Sequence, residues 1–376
     1  MSTALATRPV RPAPRPALPA AGPAWFPSVM GTGILSTLLA QHHDRIPGAL
    51  PAASVLFVVG WVLVLGLSTA FGVRCARRQE SLSGSLRDHA QAPAWGTTSM
   101  GLLAMGSATA TVVPLVAPGW GSAAIAVDAA LWTLGTLLGV YTTVSFVWGL
   151  RAHELGAPAP PWGLPVVPPM VSATTGATLV DHLAGRGAQV ALLTVLVGCF
   201  LLALVPGLAI FARAYHHHLR REALPDALLP SLWIPLGVVG QSTAAAQSIA
   251  LRMDRLATSG TGEAARALAD GYGAVMILAL GVPLTAYATV GCLRGAARRM
   301  PFSPGWWAMT FPVGTLALGA GLLGRSLSSP AGEAADTALT LTLVGTWTLC
   351  ATASLVAVGR AAAHVRSRRA RPQAEE

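Results

Sequence analysis

Three consecutive histidines, His216, His217 and His218, are the first place to look for metal chemistry. Neighbouring positions on a helix point about 100° apart, so the three rings diverge, and no nearby acid or cysteine completes a ligand set. No metal site is expected there. Cys75, Cys199, Cys292 and Cys350 are scattered without metal or redox spacing and read as core-filling residues. Two acidic positions remain. Asp181 beside His182 forms a rim pair placed to influence an entering anion, and Asp128 stands alone in an apolar stretch, either a packing partner or a carrier of protons or substrate. No glycine-rich loop is built to cradle phosphate, so neither a nucleotide nor another cofactor is expected, and the chain is not expected to be an enzyme. What is left is hydroxyls, glycines and prolines. Strings such as Ser28, Thr32 and Ser36, or Ser172, Thr174, Thr175 and Thr178, can replace water around a passing solute without holding a charge.

The elements that carry these groups are hydrophobic. Of 376 residues, 53% are hydrophobic and 11% charged, with a mean hydropathy of +0.57, which excludes an ordinary soluble domain. Apolar runs near the roughly 20 residues needed to cross a bilayer recur along the chain. They are approximately Ala24 to Gln41, Pro51 to Val73, Ala94 to Ala117, Ser122 to Trp148, Leu164 to Leu183, Ala188 to Ala212, Leu228 to Leu251, Gly271 to Leu293, Gly305 to Leu327 and Thr337 to Gly359. Unpaired backbone groups in lipid are costly, so these predict a bundle of ten transmembrane helices.

The basic residues test that count. All 25 are arginine. With ten spans and a cytoplasmic N-terminus, all but six lie on the cytoplasmic side, the exceptions being Arg45, Arg186, Arg252, Arg255, Arg266 and Arg325. That asymmetry follows the positive-inside rule with both termini cytoplasmic. The net charge of +10 is thereby assigned to orientation beside anionic membrane lipids, and nucleic acid is not an expected partner. Residues 1–23 read as a disordered cytoplasmic arm, 24–359 as the transmembrane domain and 360–376 as a basic cytoplasmic tail. No cleaved signal peptide is expected, because Pro27, Gly31 and Gly33 interrupt the first apolar run.

The ten runs alternate in character. Interior prolines fall mainly in odd-numbered runs, at Pro27, Pro114, Pro165, Pro168, Pro169, Pro230, Pro235 and Pro312, whereas the even-numbered ones hold Pro206 and Pro283. Proline removes a helical hydrogen bond, so the odd helices are expected to be kinked and sheltered inside, with even helices outside. Five such hairpins make a ring around a central passage. The expected lining is Gly31, Thr32, Gly33, Ser36, Pro168, Thr174, Gly176, Gly240, Gln241, Ser242, Pro312 and Thr315. Glycine also serves plain helix packing, as Gly66, Gly135, Gly139 and Gly345 on even runs show. With so few intramembrane charges, the arrangement suits a passive or weakly proton-assisted conduit, where helix N-termini favour anions.

The string Trp25-Phe26-Pro27-Ser28-Val29-Met30-Gly31-Thr32-Gly33 resembles the MGTG signature of the tellurite-resistance/dicarboxylate transporter family. Leu164-Pro165-Val166-Val167-Pro168-Pro169, Pro230 through Gly237 followed by Gly240-Gln241-Ser242, and Trp306-Trp307-Ala308-Met309-Thr310-Phe311-Pro312 are similar to its fifth, seventh and ninth spans. The resemblance implies a ten-helix, five-hairpin fold with one pore per subunit, commonly a homotrimer, while the lysine-free, Ala- and Arg-rich composition points to a bacterial cell membrane. The resemblance also implies an aromatic pore gate at Phe311, a ring that blocks hydrated ions until it rotates. Malate permeases, sulfite efflux pumps, tellurite-resistance channels and slow anion channels share the family, so C4-dicarboxylates and sulfite-type small oxyanions are both open as substrates. A membrane metalloenzyme and a non-transporting sensor are the competing readings.

Overall fold

A computed structural model describes residues 18–152, 156–257 and 260–369. All regular structure among them is helical. In chain order the α-helices are α1 (Phe26–Gln41), α2 (Ala49–Ala76), α3 (Leu82–Arg87), α4 (Ala92–Val116), α5 (Gly121–Ala152), α6 (Pro168–Val180), α7 (Arg186–Arg220), α8 (Ile234–Leu256), α9 (Thr261–Val275), α10 (Val282–Ala297), α11 (Phe311–Ser326) and α12 (Pro330–Arg369). A π-helical turn, Met276–Gly281, joins α9 and α10 into one rod. Seven described helices are long and apolar enough to cross a membrane. Helices α1, with 16 residues, and α6, with 13, are shorter than 18 residues, and α8 carries many polar side chains. The chain is an all-helical membrane protein.

Five helices form the interior. Helix α1 packs on α4, α4 on α6, α6 on α8, α8 on α11, and α11 returns to α1, so the ring closes. Each remaining long helix lies in the groove between two ring members: α2 against α1 and α4, α5 against α4 and α6, α7 against α6 and α8, α9 against α8 and α11, and α12 against α11 and α1. Ring helices are buried nearly all round, whereas the outer helices present Val62, Leu137 and Leu355 at 65%, 65% and 74% exposure. Such an outward apolar surface belongs in hydrocarbon, where burying it against other protein brings little gain.

Glycines set the spacing of the ring. A Cβ on Gly33 would come within 3.0 Å of the Ala104 backbone, and one on Gly240 within 2.4 Å of the backbone between Thr315 and Leu316. These close approaches allow five helices to surround an axis without large side chains between them.

The prolines do something other than kink the ring helices. Pro27, Pro93, Pro168, Pro235 and Pro312 occupy the first or second position of α1, α4, α6, α8 and α11. Short 3₁₀ segments, Pro23–Trp25, Pro160–Gly163, Asp226–Trp233 and Pro304–Met309, precede four of them. Proline is favoured at these positions because the missing N–H would have no intrahelical partner anyway. Among the described ring helices, the interior proline is Pro114, near the end of α4.

Residues 1–17 and 370–376 of the expected tails lie outside the described residues. The Trp25 indole donates to the Pro19 carbonyl, and Arg74 donates to the Ala21 carbonyl, tying the segment before α1 to α2. At the other end α12 continues as helix to Arg369.

Candidate functional site

A cavity of about 170 Å³ opens at the N-terminal end of the ring. Every ring helix reaches it, through Met30 of α1, Met100 of α4, Val167 just ahead of α6, Gly237 of α8 and Phe311 of α11. No charged side chain lines it, and its polar side chains are Ser231 and Ser303. Phe311 is buried at 4% exposure and opens α11 directly before Pro312. Because α1, α6, α8 and α11 start beside the cavity, at Pro27, Val167, Ile234 and Phe311, the positive ends of their dipoles lie around it. Each helix terminus is equivalent to about half a positive charge. An anion entering here meets favourable potential with no fixed cation to trap it.

Helical register then identifies the axial face of each ring helix. From Met100, Gly106 lies on the far side of α4 against Asp128, and Gly101 turns toward Phe26 and Val29 of α1. Met100 lines the cavity, Ala104 packs against Gly33 of α1, and Ser107 and Thr111 further along the helix are partly exposed. On α6, Ser172 accepts from Thr136 of α5, while Val171 follows the cavity-lining Val167 by four residues on one face. One turn beyond the cavity on α1, α4 and α6 stand the buried apolar residues Ile34, Ala104 and Val171.

Several residues expected to line the passage point elsewhere. Thr32 accepts a hydrogen bond from the Trp347 indole of α12 at 2.9 Å and donates to the Ser28 carbonyl. Ser36 donates to the Ala53 carbonyl of α2 at 2.8 Å. Pro168 faces Gly139 of α5, and Gly176 faces Trp132 and Leu196 of the outer helices. Gly31 packs on Thr310 and Trp307, and Gly33 and Gly240 are spent on ring contacts. Thr174 donates to the Met170 and Gln241 carbonyls at 3.2 and 3.3 Å, Ser242 to Val239, and Thr315 to Pro312 at 2.8 Å. Of the expected set, Phe311 and Pro312 line the cavity, and Gln241 follows Gly237 by one turn. Sequence reasoning passed over Met30, Met100, Val167 and Gly237. For Met30 and Gly237 the available signal was position within the first turn after a ring proline.

Two clusters of ion pairs lie at the opposite end. Arg252 and Arg255 of α8 reach Asp181, which follows α6, at 2.8 and 3.4 Å. Arg325 of α11 and His42, just past α1, share Asp336 Oδ2 of α12 at 3.4 Å each, and Arg45 pairs with Glu333 at 2.9 Å. Asp181 is therefore held by arginines, with His182 beside it. Asp128 is 1% exposed, and neither carboxylate oxygen has a hydrogen-bonding partner, yet it faces Gly106 on the side of α4 away from the axis. The histidine run is dispersed as helical geometry requires. His218 accepts from the Leu224 backbone N–H and lies 2.8 Å from the Tyr287 hydroxyl, while His217 is 3.8 Å from Glu222. Among the described residues no group of three or more His, Cys, Asp or Glu could hold a metal ion.

Fold and site together define a multi-pass helical membrane protein whose five buried helices form a ring with an uncharged cavity at one end, Phe311 among its lining residues. The sequence model of the voltage-dependent anion channel family matches residues 20–355, and the chain belongs to that family of anion channels and transporters, which includes the tellurite-resistance/dicarboxylate transporters. It is similar to the sulfite efflux pump SSU1 of Arthroderma otae, 26% identical over 340 residues, 87% of this chain and 88% of that protein. The sulfite efflux pump SSU1 of Trichophyton rubrum gives the same identity and coverage. An uncharacterized transporter of Methanocaldococcus jannaschii is 22% identical over 302 residues, 78% of this chain and 80% of that protein.

Proposed function

We propose that the ring axis is an anion passage gated by Phe311, and that the protein moves a sulfite-type small oxyanion across the cell membrane. The observation that carries this reading is the cavity lined by residues of α1, α4, α8 and α11 and by Val167 at the cap of α6, with Phe311 in its wall. An aromatic ring in an apolar constriction excludes a hydrated ion until it turns aside. The clustered helix N-termini supply the attraction that an uncharged lining otherwise lacks. Relatives named as sulfite efflux pumps favour a small oxyanion over a C4-dicarboxylate such as malate.

In this reading ten helices cross the bilayer as five hairpins, the short α1, α6 and α8 doing so with the turns that flank them. Both termini face the cytoplasm, because the arginine-rich connections share the side on which the ring helices begin. Three subunits assemble, each with its own passage, and lipid covers the outer helices. Flux is passive or driven by a proton gradient.

The test is anion uptake into proteoliposomes, comparing the unmodified protein with Phe311→Ala for sulfite, malate, nitrate and chloride at two imposed pH gradients. A rise of tenfold or more in small-anion flux in Phe311→Ala is expected. Malate uptake tracking the pH gradient points instead to a dicarboxylate carrier, and absence of flux in both proteins overturns the transport reading.

A further inference from the structure

Helix α8 places one amide where the other ring helices place apolar groups or a hydroxyl bonded to its own backbone. Gly237 lines the cavity, and Gln241 follows it by four residues, one turn deeper on the same face. The neighbouring faces of α8 are occupied: Gly240 abuts α11 at Thr315 and Leu316, and Val238 reaches Gly207 of α7. Gln241 lies between them. Four residues beyond the cavity residues of the other ring segments stand Ile34, Ala104, Val171 and Thr315, and the Thr315 hydroxyl donates to the Pro312 carbonyl. The Gln241 side chain is 2% exposed, and its Oε1 is buried with no hydrogen-bonding partner. The backbone carbonyl of the same residue is already taken up by Thr174.

A buried acceptor without a donor is uncommon and calls for a ligand or a functional cause. An amide offers both signs, two N–H donors and one carbonyl acceptor, without net charge. A monoprotonated oxyanion is its complement, with bare oxygens to accept from Nε2 and one O–H to donate to Oε1. Nitrate and chloride have no such donor. We propose that Gln241 is the specificity-determining residue of the passage, selecting monoprotonated oxyanions just beyond Phe311 by replacing water on both their donor and acceptor sides. This rests on the ring axis being the conduction path. A neutral amide suits that task, since binding must be strong enough to admit the ion and weak enough to release it.

The experiment uses Phe311→Ala in proteoliposomes as the conducting background and adds Gln241→Met, which keeps side-chain length and removes both polar functions. Fluxes of hydrogensulfite, hydrogencarbonate, nitrate and chloride are compared, with folding followed by size exclusion and thermal unfolding. The hydrogensulfite-to-nitrate and hydrogencarbonate-to-chloride ratios are expected to fall at least tenfold. Ratios unchanged within twofold in a folded Gln241→Met protein overturn the role of Gln241 and leave the axial passage standing. Should Gln241→Met fail to fold, Gln241→Glu serves: its carboxylate is expected to lower flux of every anion tenfold or more, and undiminished flux overturns the proposal. If Phe311→Ala itself conducts no anion, the axial passage fails and this inference with it.

Discussion

The His42 Nε2 lies 3.4 Å from Asp336 Oδ2, while His42 Nδ1 lies 2.8 Å from the Leu38 carbonyl, so both ring nitrogens face oxygens that only accept. The ring satisfies both contacts when it carries both protons. Its pKa is accordingly raised above 6.5, chiefly by the hydrogen bond to Asp336, against opposition from burial and from Arg45. Arg325 also reaches Asp336 Oδ2, Glu333 holds Arg45, and Asp44 faces the neighbouring His43.

Because the folded value is raised, this contribution to stability is fully present below pH 6.5 and is lost as pH rises through the folded value. Thermal unfolding in detergent should therefore occur at lower temperature at about pH 9 than at about pH 6, and His42→Gln should flatten that slope. His42→Ala, which strands a buried carboxylate against one partly exposed arginine, is expected to cost about 3 kcal/mol near pH 6. A wild-type slope retained in His42→Gln assigns the pH dependence elsewhere.

The approach of α8 to α11 at Gly240 yields a contrast within one residue type. Gly240→Ala drives a methyl into backbone between Thr315 and Leu316 and is expected to destabilise by about 1–3 kcal/mol. Gly66→Ala, on α2 with nothing within 4 Å of the added Cβ, is expected to be neutral or to stabilise by up to about 1 kcal/mol. Parallel melting curves decide the matter; equal effects at the two sites would remove close ring packing as the reason for glycine at 240.

Asp128 and Gly106 are paired by shape. A Cβ on Gly106 would lie 2.5 Å from Asp128 Oδ1, so Gly106→Ala should destabilise and Asp128→Ala should relieve it. A double-mutant cycle is expected to show about 0.5–3 kcal/mol of coupling. Since Asp128 faces away from the axis, Asp128→Ala should leave the ranking of transported anions unaltered, as read by flux ratios in proteoliposomes. A changed ranking would place Asp128 in the transport path.

The alternation of proline-rich and smoother runs was legible in Pro27, Pro235 and Pro312 and pointed to the helices that became the ring. Their effect was not legible, because a proline reads as a kink or as a helix start depending on a boundary that apolar sequence does not mark. The rotational phase of the ring helices was hidden for a related reason. An amphipathic helix announces its buried face, but α1 is buried nearly all round, so nothing in its pattern separates Thr32 and Ser36, which face outer helices, from Met30, which faces the cavity. Asp336 escaped notice because the apolar run begins at Thr337, whereas α12 starts at Pro330 and carries the acid into the packed end of the bundle. The place of Phe311 beside the cavity was suggested only by the resemblance of its flanking tryptophans and proline, a signal that hydropathy alone does not supply.

The closed ring has a mechanical consequence. A row of helices with two ends can spread by swinging its last member, whereas in a closed hoop every helix is braced on both sides. Widening the ring would stretch five interfaces at once, and the tightest, such as Gly33 on Ala104 and Gly240 on Thr315, have almost no slack. Packed interfaces of this kind resist continuous deformation. If Phe311 is the gate proposed above, the inexpensive movement is therefore torsional, a turn of its side chain within a ring of helices that keeps its diameter.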